Sequence, residues 1–119
     1  MKLKIIGLML TFLVSMSGSA LAVDCTGTVN NLSLQLNSTG TVTLSLAGGP
    51  TMTYLCDVDG TANRNGVSPT VCKTMYSTLM AAKVSGKKVL IRFYDHESCS
   101  SVPAWDNAGS LGWTKLLLN

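Results

Sequence analysis

Leu32-Ser33-Leu34-Gln35-Leu36, a break at Asn37-Ser38-Thr39-Gly40, and then Val42-Thr43-Leu44-Ser45-Leu46 form the stretch that decides the fold. Apolar and polar residues alternate with period two on both sides of a turn, the pattern of two half-buried strands joined as a hairpin. Ala47-Gly48-Gly49-Pro50 is a second turn, after which Met52, Tyr54 and Cys56 alternate with Thr51, Thr53 and Leu55. Three strands joined by short turns make an antiparallel meander.

Working outward toward the C-terminus, residues 57–67 are polar and rich in Gly and Asn, which predicts an exposed loop. Ser68-Pro69 is a helix start, with Ser68 as N-cap and Pro69 at the first helical position. Cys72, Met75, Tyr76, Leu79, Met80 and Lys83 fall at helical spacing, and Gly86 supplies a left-handed C-terminal cap. A fourth strand runs from Lys88 to Tyr94, with Val89, Ile91 and Phe93 facing inward and Leu90, Arg92 and Tyr94 on the other face. His96 to Ser110 is irregular, and a last strand spans about Gly112 to Leu118, with Trp113 placed in the core. The fold class is mainly β with one helix, in the order β-β-β-α-β-β. That is the order of an OB-like five-stranded barrel, a fold used for oligosaccharides and oligonucleotides.

Working outward toward the N-terminus, the chain opens like a secretory leader. Lys2 and Lys4 precede an apolar run from Ile5 to Val14, and Ala20-Leu21-Ala22 is an A-x-A cleavage site. Residues 1–22 are therefore expected to be a cleaved signal peptide, and residues 23–119 a single domain that is secreted or periplasmic. The apolar run is short of the roughly twenty residues a spanning helix needs, so no membrane span is expected. With the leader gone, two of the nine bases go too, and seven bases face six acids for a net charge of +1. Those seven are scattered apart from Lys87-Lys88. Nucleic-acid binding normally shows a basic stripe, so none is expected.

All four cysteines, Cys25, Cys56, Cys72 and Cys99, lie after the leader, and an even count behind an export signal reads as two disulfides. Three connectivities are open. The element order favours Cys56–Cys72, pinning the helix to the third strand, with Cys25–Cys99, tying the first strand to the late loop. No C-x-x-C pair is present, so no zinc site is expected.

Cys72-Lys73-Thr74-Met75-Tyr76-Ser77-Thr78-Leu79 and Ser85-Gly86-Lys87-Lys88-Val89-Leu90-Ile91-Arg92 resemble the helix and following strand of exported OB-fold B subunits of bacterial A–B toxins, the subtilase-cytotoxin B subunit among them. The resemblance implies a small disulfide-bonded barrel that assembles as a homo-oligomeric ring and binds glycans. No sugar-contacting residue of that family maps onto a position here.

Chemistry-bearing residues are sparse. Asp95-His96-Glu97 holds the single histidine between two acids, with no activated nucleophile and no second histidine for a metal triad. Asp57, Asp59, Asn63 and Asn65 with Gly60 and Gly66 resemble a calcium loop in composition, but the EF-hand glutamate is missing, so a turn-rich loop is expected instead. Asn31-Leu32-Ser33 and Asn37-Ser38-Thr39 match glycosylation sequons. No catalytic residue, metal or cofactor is assigned. Aromatic faces are the remaining signal, because sugars stack on amphipathic rings. Tyr54 and Tyr76 are expected in the core. Trp105, beside Asp106 and Asn107 in the irregular loop, is the aromatic expected to be exposed, and Tyr94, Arg92 and His96 join it and Asp106 as candidate ligand-binding residues. The leading expectation is an exported binding module for a glycan or surface partner. The alternative is a disulfide-stapled inhibitor or scaffold acting on another exported protein.

Overall fold

The computed structural model describes residues 21–117. The expected leader falls outside them except for Leu21 and Ala22, as do Leu118 and the side chain of Trp113. The elements are β1 (Ala22–Leu34), β2 (Thr41–Leu46), β3 (Thr53–Asp57), α1 (Pro69–Ser85), β4 (Lys88–Tyr94), a 3-10 turn at Cys99–Ser101, and β5 (Leu111–Leu116). The strands form one antiparallel sheet in the order β3-β2-β1-β4-β5, curled into an OB-like half-barrel.

β1 makes the curl. Its first half pairs with β4, from Ala22 opposite Tyr94 to Thr28 opposite Lys88. Its second half pairs with β2, from Val29 opposite Leu46 to Leu34 opposite Val42, with a register shift between Val29 and Asn31. Such a bulge bends a strand and raises its twist, which lets one strand serve two halves of a sheet. Gly27 sits at the bend because nothing larger fits: an added Cβ would lie 2.5 Å from the Ala47 carbonyl oxygen.

The open edges are brought together by loop backbone. Residues 105–108, just ahead of β5, run parallel to β3. Trp105 N–H donates to Met52 O at 2.8 Å, Tyr54 N–H to Asp106 O at 2.9 Å, and Ala108 N–H to Tyr54 O at 3.0 Å. Asn65 braces the same seam, its Nδ2 donating to the carbonyls of Tyr54 and Leu55.

α1 starts and stops where its caps dictate. The Ser68 hydroxyl accepts from Val71 N–H, Pro69 fills the first helical position, and Gly86 closes the helix at φ 67°. Its buried face (Cys72, Met75, Leu79, Ala82) packs on β1, β3, β4 and β5, in one core with Val42, Leu44, Leu55, Val89, Ile91 and Phe93, all fully buried. Disulfides join Cys56 of β3 to Cys72 of α1, and Cys25 of β1 to Cys99 of the 3-10 turn.

Several expectations are corrected. Leu36 does not continue the alternation of Leu32 and Leu34; it stands in the turn, 98% exposed. Met52 is not a strand residue but occupies a left-handed turn position at φ 44°. β2 was expected to be half-buried, yet all six of its residues are buried. Its polar side is covered because the hydroxyls find partners. Thr41 donates to Asp57 at 2.7 Å, Thr43 bonds Ser33, and Ser45 accepts from Met52 N–H at 2.7 Å. Hydroxyls satisfied in this way can be buried without the usual desolvation penalty. Asp57, read as the start of an exposed loop, is the buried last residue of β3. Met80, placed on the helix's buried stripe, is instead exposed. Tyr54 and Tyr76 are only partly buried, at the seam and at the core margin.

Candidate functional site

A cleft of about 330 Å³ opens between two loops at one end of the barrel. One wall is the turn between β2 and β3, contributing Pro50 and Thr51. The other is the 3-10 turn and the chain after it, contributing Ser100, Ser101, Val102 and Pro103. Its size falls at the lower end of small-ligand pockets.

Each wall is fixed locally. The Cys25–Cys99 disulfide anchors the 3-10 turn to β1. Ser101 Oγ donates to Ser98 O at 2.7 Å, and the hydroxyls of Ser98 and Ser100 are 3.0 Å apart. A hydroxyl keeps spare acceptor capacity after donating once, so the serine wall can still receive hydrogen bonds. The opposite wall is held by Ser45 Oγ on Met52 N–H and by Leu46 N–H on Pro50 O at 2.9 Å.

Trp105 follows the cleft residue Ala104 in the chain and is 62% exposed. Its backbone is left-handed, at φ 57°, and its N–H is bonded to Met52, itself left-handed at φ 44°. A non-glycine residue in this region costs about 1–3 kcal/mol and persists only where its surroundings impose it. Here the parallel seam imposes it on two facing residues. Burial of Trp105 does little to offset the cost, since the residue is 62% exposed.

The other nominated residues divide into two groups. His96 and Asp106 belong with Trp105 as supports. His96 Nε2 donates to Ala108 O at 2.7 Å, and Gly109, at φ +82°, leaves room for that ring. Asp106 Oδ1 accepts from Asn107 N–H, and its carbonyl takes Tyr54 N–H. Arg92 and Tyr94 stand on the outward face of β4 and do not line the cleft. Arg92 is held by Asp24, its register partner on β1, through Nε at 2.7 Å and Nη2 at 3.1 Å. The Arg92 stem lies across Gly112, where a Cβ would meet it at 2.9 Å. Sequence reasoning missed Thr51 and the Ser100-Ser101 wall. The hydroxyl and proline content of Ser98–Pro103 was a usable signal, but nothing local places it against the β2–β3 turn.

The Asp24–Arg92 pair sets a pH expectation. Hydrogen bonding from Arg92 lowers the Asp24 pKa, partial desolvation works against it, and the charges of Arg92 and Lys115 add to the lowering. A carboxyl with a depressed folded-state value contributes stability that is complete above its ordinary value and is lost as pH falls through the depressed one. Asp24 is exposed and Arg92 partly so, and salt screens the effect. In an NMR titration, Arg92→Gln should return Asp24 toward its ordinary range; an unchanged Asp24 midpoint would show that Arg92 is not the cause.

A second cleft, of about 310 Å³, is lined by Thr28, Ser85, Gly86, Lys87, Lys88 and Leu117. It carries no aromatic ring, and its lysines sit at the carbonyl end of α1, where cations complement the helix dipole. The cleft beside Trp105 is the stronger candidate. No protein-family model matches the chain, and no curated protein or solved structure is detectably similar to it.

Proposed function

We propose that this chain is an exported, disulfide-stapled binding module that takes a carbohydrate in the cleft beside Trp105 and performs no catalysis. The observation that carries the proposal is the exposed Trp105, left-handed and bonded to the left-handed Met52, next in the chain to Ala104 of a cleft walled with hydroxyls. Rings of this kind offer a flat apolar face to a sugar while hydroxyls and backbone groups meet its polar edge. OB-like topology is compatible with such binding but does not by itself assign it. The two disulfides fit a protein that matures in an oxidising compartment, the periplasm or the cell exterior. No helix among the described residues is long and apolar enough to cross a membrane.

Export has its own test. Cleavage after Ala22 would remove the last rung of the β1–β4 ladder, Ala22 opposite Tyr94, and the Asp95 N–H bond to Leu21 O. Cys25 would remain to hold the strand. Intact mass and N-terminal sequencing of protein purified after secretion should give Val23 as the first residue; a retained leader would overturn the export reading.

Binding is tested on a broad glycan array, with size-exclusion chromatography to read the ring implied by the toxin resemblance. A monomer that binds no glycan would sink the carbohydrate proposal. The alternative, an inhibitor or scaffold for another exported protein, is favoured by one observation: α1 leaves Val71 53% and Val84 81% exposed. Stoichiometric capture of an exported protein, lost on Val84→Lys, would mark that reading instead.

A further inference from the structure

The geometry points to a neutral saccharide as the ligand of the Trp105 cleft, with acidic sugars excluded; this rests on the carbohydrate reading above and sharpens it. No side chain lining the cleft is charged. The loop that forms one wall and carries Trp105, residues 95–110, holds Asp95, Glu97 and Asp106 and no lysine or arginine. The opposite turn, residues 47–52, carries no charge at all.

Arg64, which bonds Asn107 of that loop, and Arg92 on the outward face of β4 are both already engaged. Arg92 is bonded to Asp24 through two nitrogens, and Arg64 is engaged by Asp57 at 3.0 Å and by Asn107 at 2.6 Å. A carboxylate or sulfate entering the cleft would give up part of its water for a site whose lining holds no cation to pair with it, on a loop that carries three like charges. Burying a charge without a partner is among the most costly steps in recognition. A neutral pyranose carries no such penalty. Its hydroxyls meet Thr51, Ser100 and Ser101 and its apolar face the Pro50 and Pro103 rings, with Trp105 one residue beyond the cleft wall to extend the apolar surface. Selectivity against acidic sugars is therefore built by leaving cations out, a repulsive device rather than an added contact.

The test compares matched glycans on the array and by calorimetry: neutral hexose-terminated oligosaccharides against their sialylated and sulfated counterparts. Neutral glycans should bind at least about tenfold more tightly than the acidic ones, with affinity nearly unchanged from low salt to about 0.5 M NaCl. Trp105→Ala should weaken binding about tenfold or more with the melting temperature unchanged, because its backbone N–H bond survives the substitution. Ser100→Lys, which adds the missing cation, should shift preference toward the acidic glycans. Preference of the parent protein for sialylated or sulfated glycans, or binding that falls steeply with salt, overturns the neutral-ligand inference while leaving the carbohydrate reading standing. Absence of binding to every glycan overturns the carbohydrate reading and this inference with it.

Discussion

A variant with Cys25→Ala and Cys99→Ser is expected to melt at least about 15 °C below the parent. The bridge closes a loop of sequence separation 74, for which chain entropy gives a contribution of about 4.5 kcal/mol. Each kcal/mol moves the midpoint of a domain this size by about 4–8 °C. Cys56→Ala with Cys72→Ala should cost less by loop length, since the separation is 16 and the same relation gives about 3 kcal/mol. Both of those cysteines are fully buried, however, so lost packing adds to the loop term. Together the two loops are worth about as much as the whole stability of an ordinary domain, about 5–15 kcal/mol. The reduced chain should therefore be largely unfolded at room temperature. Thermal melts of the two variants and of the dithiothreitol-treated parent decide the matter; coincident curves would show that the covalent links contribute nothing.

The bridges should not yield together. Cys99 is partly exposed at the cleft wall, whereas Cys56 and Cys72 are wholly inside. Thiol attack needs access to a sulfur, so limiting dithiothreitol should open Cys25–Cys99 first. The wall carrying Ser100 and Ser101 would then lose its anchor before the barrel unfolds. The same dependence explains why such a chain suits an oxidising compartment.

The parts of this fold that were legible in the sequence are those whose causes are local. Ser68, Pro69 and Gly86 mark the ends of α1 because each satisfies or breaks backbone geometry on its own. β4 could be read from Val89, Ile91 and Phe93, since its two faces differ strongly in polarity. The first half of β1 was harder. Val23, Cys25, Gly27 and Val29 do alternate with Asp24, Thr26, Thr28 and Asn30, but Cys and Gly carry little hydropathy. The bulge near Val29 then moves the apolar set to even positions at Leu32 and Leu34, so the clear alternation lies in the second half, although the first strand is read as beginning at Cys25. The burial of Thr41 and Thr43 was not legible, because a hydroxyl shows its partner only in the folded state. For the site, Trp105 stood out from its polar neighbours. Its opposing wall did not, since the parallel seam joins positions about fifty residues apart in the chain.

That seam is where the second large effect is expected. Asp57, at 8% exposure, takes the Thr41 hydroxyl at 2.7 Å and faces Arg64 Nε at 3.0 Å. The Arg64 contact lacks hydrogen-bond alignment at Nε, so it acts there as a charge pair, while Nη1 donates to Asn107 Oδ1 at 2.6 Å. Asn37 Nδ2 adds a bond to Thr41 Oγ1 at 3.0 Å. One carboxylate thus links the β1–β2 turn, the end of β3, the loop before α1 and the segment that closes the barrel. Asp57→Ala should cost about 3 kcal/mol, the lower end of the range for breaking a buried pair, because the Arg64 side chain keeps partial access to water. Asp57→Asn retains an acceptor for Thr41 and removes only the charge, so it should cost about 1 kcal/mol. Urea denaturation separates the two, and hydrogen exchange locates the damage: the N–H groups of Tyr54 and Ala108, which carry the seam, should lose protection in Asp57→Ala before those of β4. If both variants unfold at the parent's urea midpoint and the seam amides stay protected, barrel closure does not depend on Asp57, and the Trp105 platform must be held by the backbone ladder alone.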